Sequence, residues 1–232
     1  MTRTVFMLDV DNTLLDNDRL KADLDRQIHV LMGAEAAEEF WRTYETVRED
    51  EDVVDYPATL ARFETNHPDL SNARLRDLVM DVPFAGYLYP GALAAIDHLT
   101  SIGTPIVVSD GDPVYQKMKI ERSGIWERVH GRVVLTVHKE TELPRVFHRF
   151  PAGHYVAIDD KAVILAHIQT SYPRVIAVLV CQGKYARLRA NPKPDMVVPK
   201  IGDIAGIPLE EFLDADDDEH TPASPTTPAT GA

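Results

Sequence analysis

The chain has 232 residues, 44% of them hydrophobic and 26% charged, and a formal net charge of −13. That length holds one large domain or a core with a modest insert, and the composition is that of a globular protein able to bury a sizeable core. An acidic chain without a Lys/Arg cluster argues against non-specific binding to nucleic acid, which needs basic patches; seven of its acids lie in residues 210–232, which carry no Lys or Arg.

The first residues, Met1 to Phe6, read as a short strand and not as a signal peptide. No apolar stretch approaches membrane-spanning length, so the expected location is cytoplasmic, without a membrane partner. Strand-length apolar runs follow in order: Val5–Val10, Pro105–Val108, Val133–Val137, Tyr155–Ile158, Val175–Val180 and Met196–Val198. They are nearly continuous in apolar character and several are rich in Val and Ile, as strands buried on both faces of a parallel sheet are. Helical patterns alternate with them: Ala92–Leu99, a start at Asp112-Pro113 where Asp can cap and Pro fits the first turn, and Lys161–Ile168. This alternation predicts an α/β fold with a doubly wound parallel sheet. The lone Cys181 ends one of the apolar runs and is expected to be a buried structural thiol.

One long stretch breaks the rhythm. Residues 16–88 contain no convincing strand but hold helical patterns such as Leu20–Leu31, Ala36–Val47 and Leu75–Val79. Insertions of this size at a strand end form lids or substrate domains, so a helical cap is expected here, inserted into a core of residues 1–15 and 89–213. Within it Arg42, Tyr44, Arg48 and Tyr56 are candidates to face a substrate. Residues 214–232, acidic and then rich in Pro, Thr and Ala, are expected to be a disordered tail.

The chemistry concentrates at strand ends, where ligands bind in such sheets. Asp9-Val10-Asp11-Asn12-Thr13-Leu14 follows the first strand, and two carboxylates so close repel each other unless a cation joins them. Ser109 ends the second run, where a hydroxyl and the backbone N–H groups of a following helix suit a phosphate oxygen. Lys139 follows the third run and precedes a helix start at Thr141; Lys117 and Lys119 are its rivals but sit within a helix. Asp159-Asp160 ends the fourth run, a second acidic pair that a divalent cation with oxygen ligands would stabilise. Lys161 beside it offsets charge.

This ordered set resembles the haloacid dehalogenase superfamily. Its Asp-x-Asp-x-Thr motif is matched by Asp9, Asp11 and Thr13, its Ser/Thr by Ser109, its Lys by Lys139 and its acidic pair by Asp159 and Asp160, over roughly residues 4–207. The chain departs in two places: Glu140 stands where many relatives have Pro, and the acidic pair is adjacent instead of spaced. The resemblance implies a Rossmann-like core and a magnesium-dependent phosphohydrolase acting on a small phosphorylated substrate. Asp9 would be the nucleophile and Asp11 the acid and base. Ser109 and Lys139 would hold the phosphoryl group. The metal would be held by Asp9, the Asp11 backbone carbonyl, and Asp159 and Asp160, with Asp160 the nearer of that pair. A phosphomutase or haloacid dehalogenase of the same superfamily is the alternative; from other classes, a receiver domain places its acceptor on a later strand, and a non-catalytic phospho-binding protein has no need of every catalytic residue.

Overall fold

The fold is that of a computed structural model in which residues 3–51, 53–68 and 72–214 are described. The chain opens with β1 (Thr4–Leu8) and then leaves the sheet for four helices, α1 (Asn17–Met32), α2 (Ala34–Glu51), α3 (Tyr56–Asn66) and α4 (Asn72–Met80). It returns through α5 (Ala92–Ile102), β2 (Thr104–Asp110), α6 (Pro113–Arg122), α7 (Ile125–Arg128), β3 (Val133–Thr136) and α8 (Lys139–Arg149). It ends with β4 (His154–Asp159), α9 (Ala162–Ser171), β5 (Val175–Val180), β6 (Met196–Val198) and α10 (Leu209–Asp214).

The strands form one parallel sheet in the order β3-β2-β1-β4-β5-β6. Side chains alternate across it. Phe6 and Leu8 enter one core with Val107, Val156 and Val178, while Val5 and Met7 enter a second with Ile106, Ala157 and Ala177. Helices α8 and α9 seal the second core through Leu143, Val146, Leu165 and Ile168. Both faces are thus dry, the condition under which strands read as unbroken apolar runs. The strand order reverses direction at β1, so the carboxyl ends of β1 and β4 open a crevice at the switch point. Cys181, just past β5, is half-buried against the second core and not fully enclosed.

The four helices after β1 form the expected helical layer. Asp16 caps α1 by accepting from the Arg19 amide (3.0 Å), and Leu20, Leu24 and Ile28 bury one stripe at a spacing of four residues. Asp55 caps α3 in the same way. An aromatic chain ties the layer to the core: Phe63 packs on Phe40, Tyr44 on Tyr56, and Tyr56 on Tyr115 of α6 with ring centres 4.6 Å apart. The two chain crossings lie side by side, with the Asp16 amide on the Tyr87 carbonyl (2.8 Å) and the Tyr89 amide on that of Leu14 (2.9 Å). Among the described residues no helix is long and apolar enough to cross a membrane. The expectation of a tail falls outside the described residues, except for Asp214 at the end of α10.

Candidate active site

The turn after β1 is built around one carbonyl. The amides of Thr13, Leu14 and Leu15 all point at the Val10 oxygen (3.3, 2.9 and 2.9 Å). Such a tight return needs a left-handed residue, and Asn12 supplies it at φ 64, a conformation Asn tolerates better than most residues. Gly183, after β5, packs on the same turn: at φ +69 a Cβ there would lie 2.8 Å from that of Asn12. Thr13 Oγ1 donates to Asp9 Oδ2 (3.0 Å), and the Asp9 amide bonds across to Ile158 of β4 (3.0 Å). The Asp9 carboxylate is thereby fixed at the crevice, 5% exposed.

Three further strand ends converge on it. Strand β2 runs on to Asp110, so Ser109 lies inside the strand and not at its end; the register Leu8 to Val107 sets it beside the Asp9 turn. Lys139 is the first residue of α8, which begins two residues before the expected start at Thr141, and its amide is held by Asp110 Oδ1 (2.8 Å). Its ammonium is buried between two carboxylates, paired with Asp9 Oδ1 and, at 2.6 Å, with Asp159 Oδ2. Asp159 Oδ1 accepts from the Lys161 amide (2.8 Å), so both Asp159 oxygens are engaged. Asp160 is fully buried and neither of its oxygens has a hydrogen-bond partner.

These contacts set the charge states. Burial pushes the Asp9 carboxyl up, but the ammoniums of Lys139 and Lys161 and the bonds from Lys139 and Thr13 outweigh it and hold it below the usual carboxylate range. Burial, followed by the charges of Asp9 and Asp159, pushes Asp160 up to about 8, and burial lifts Asp110 to about 6. Asp9, Asp159 and Asp160 each offer an oxygen within 4.8 Å of the others. An orphaned buried carboxylate beside two more is costly alone, and oxygen donors alone are what a hard divalent cation takes. The residues present fit such an ion.

Asp11 points elsewhere. Its side chain, 28% exposed, meets the buried Lys119 ammonium (2.6 Å) and the Gln116 amide (3.2 Å), which also donates to Ser109 Oγ (2.8 Å). It borders a cleft of about 500 Å³ between the helical layer and the sheet, lined also by Lys21, Tyr44, Arg48, Tyr56, Lys161 and Lys184. Of the four cap candidates, Arg42 does not reach this cleft; it pairs with Glu39 on the outside of α2 (2.7 Å).

No protein-family model and no curated protein matches the chain. Among solved structures it is similar to a haloacid dehalogenase-like hydrolase from Burkholderia xenovorans LB400, at 39% identity and a TM-score of 0.83, covering 92% of this chain and 99% of that one. The chain belongs to the haloacid dehalogenase-like hydrolases. Its fold is shared at lower identity by the hydrolase YfnB of Bacillus subtilis, solved with magnesium (14%, TM-score 0.60, 88% of this chain and 99% of that one). It is shared too by the L-2-haloacid dehalogenase of Xanthobacter autotrophicus (13%, TM-score 0.60, 88% and 97%).

Two side chains of this hydrolase's site, Gln116 and Lys119, escape a reading by strand ends. They stand three residues apart, hence on one face of α6, and that face looks into the cleft. The buried Lys139 also yields an expected result for stability. Lys139→Met leaves Asp9 and Asp159 without their shared cation, and breaking a buried pair from one side costs about 3–5 kcal/mol. Denaturant unfolding in EDTA is expected to show that loss, and adding Asp159→Asn is expected to recover part of it. A Lys139→Met protein as stable as the wild type in EDTA would mean that the pairing carries no weight.

Proposed function

We propose that this hydrolase is a magnesium-dependent phosphohydrolase that acts on a small phosphorylated metabolite through an aspartyl-phosphate on Asp9. The observation that carries the reading is the pairing of an ionised, crevice-facing carboxylate, Asp9, with the buried and unpartnered carboxylate of Asp160 alongside. A nucleophile must be anionic to attack phosphorus, and a second acid without a partner is costly unless a cation joins it. A dehalogenase has no need of the cation.

An oxygen of Asp9 attacks phosphorus as the bond to the leaving oxygen breaks, and the electron pair goes to that oxygen. Asp11 protonates it as it departs. Asp11 then takes a proton from a water, which attacks phosphorus and releases phosphate and free Asp9. Thr13 and Lys139 keep the Asp9 carboxylate aimed. The Ser109 hydroxyl and the Lys139 ammonium hold phosphoryl oxygens as charge spreads onto them. Asp9, Asp159, Asp160 and the Asp11 backbone carbonyl would hold magnesium, with Asp160 the freest to bind because both Asp159 oxygens are engaged. When bound, magnesium offsets the negative charge shared by carboxylate and phosphoryl group. The all-oxygen ligand set favours it, and YfnB of the same fold is solved with magnesium. The helical layer acts as the cap that excludes bulk water from the cleft; the described interdomain movement of YfnB fits that role.

Removal of the metal tests the reading. Exhaustive dialysis against EDTA is expected to abolish release of phosphate from nitrophenyl phosphate, and added magnesium to restore it. Full turnover in EDTA would sink the metal assignment.

A further inference from the structure

We propose that Lys161 binds the phosphoryl group directly, as the one cation of the cleft with no carboxylate in ion-pair contact among the described residues. The inference rests on the phosphohydrolase reading and adds a residue to it. Among the described residues five cationic side chains line the cleft, Lys21, Arg48, Lys119, Lys161 and Lys184, and a sixth, Lys139, is buried against Asp9. Lys21 and Arg48 share Glu45, at 3.6 and 2.7 Å. Lys119 is on Asp11 at 2.6 Å, Lys184 on Asp18 at 3.7 Å, and Lys139 on both Asp9 and Asp159. Lys161 alone of the six has no carboxylate in ion-pair range among the described residues.

Its place suits the task. The Lys161 amide is tied to Asp159 Oδ1, which anchors the residue at the carboxyl end of β4, next to the end of β1 that carries Asp9. Its ammonium leans toward the Tyr185 ring, 5.7 Å from the centre, and faces the cleft. A phosphomonoester brings about two negative charges toward carboxylates already gathered there. A cation committed to a carboxylate must give up that partner to help, whereas Lys161 forms its first charge-assisted bond with the incoming oxygen.

The competing role is a plain counter-charge for the acidic cluster, and the two roles separate by experiment. Inorganic phosphate is titrated calorimetrically into the full-length protein at magnesium concentrations saturating for each variant. A hydrogen bond to a charged group contributes about 1.5–3 kcal/mol, so Lys161→Met is expected to raise the phosphate dissociation constant by about 10- to 100-fold. Its kcat/KM for nitrophenyl phosphate is expected to fall in step. Lys161→Arg keeps the charge and is expected to stay close to wild type. A counter-charge role would instead tighten magnesium binding in Lys161→Met and leave phosphate affinity unchanged, and that result overturns the inference alone. Failure of the wild type to bind or release phosphate at all would overturn the phosphohydrolase reading and this inference with it.

Discussion

Asp9→Asn is expected to lower phosphatase turnover by about 10⁵-fold or more, the scale seen when a covalent nucleophile is removed, while the protein keeps its fold. The chemical half follows from the amide, which carries no negative charge with which to attack phosphorus. The structural half follows from what Asp9 touches. An asparagine oxygen can still accept from Lys139, and its NH₂ can face the Thr13 hydroxyl, which accepts as well as donates. Lys139 retains Asp159 as its counter-ion, and the crowd of acids around the crevice loses one charge. The cations around Asp9 favour its charge in the folded protein, so melting temperature is expected to fall modestly, with Lys139 still paired to Asp159, while phosphate release disappears. Acid-quench trapping with labelled substrate is expected to show the phosphoryl group on Asp9 in the wild type and on no residue of the variant. Label on any other residue of the wild type would remove Asp9 from its role.

The parts of this site that follow from sequence are those that strand ends supply. In a parallel sheet a polar residue just past an unbroken apolar run can only emerge at the carboxyl edge, so Asp9, Lys139 and Asp159 are predictable as neighbours although up to 150 residues separate them. Helix-borne residues are not legible in that way. Lys119 lies six residues into α6, about 9 Å along the axis at 1.5 Å per residue, and by position alone belongs to the helix interior. Yet side chains lean toward a helix's N-terminus, and α6 begins just beyond β2, so a long lysine reaches back to Asp11. The same limit hid α3: Pro57 and Thr59 weaken its pattern, and what fixes it is the cap at Asp55 and the packing of Tyr56 on Tyr44 and Tyr115, which are remote in sequence. Lys161 reads from sequence as a counter-charge to its neighbours; what sets it apart is that the other described cations of the cleft each pair with a carboxylate.

Asp11→Asn separates phosphate chemistry from halide chemistry. An ester oxygen departs poorly as an alkoxide, so its protonation in the transition state matters, whereas a halide leaves unaided. Asp11 lies at the edge of the cleft, held by Lys119 and by a Gln116 amide shared with Ser109. Asparagine keeps an acceptor for Lys119, and Gln116 has only to turn its amide over, so the variant is expected to fold and to bind substrate. General acid–base assistance is worth about 10²- to 10⁴-fold, and hydrolysis of an alkyl phosphate is expected to slow by that factor. Nitrophenyl phosphate, whose leaving group is already a stable anion, is expected to lose much less when phosphorylation of Asp9 limits the rate. With the base of the second step gone, aspartyl-phosphate is expected to accumulate, visible as a burst of nitrophenol without matching phosphate. The measurement is the variant-to-wild-type rate ratio for the two esters in single-turnover experiments. Small and equal losses would deny Asp11 the role of acid. Halide release from a 2-haloacid by the wild type, with no phosphate released from any ester, would replace the phosphatase reading by a dehalogenase one, because that reaction needs the Asp9 nucleophile and has no use for an acid two residues on.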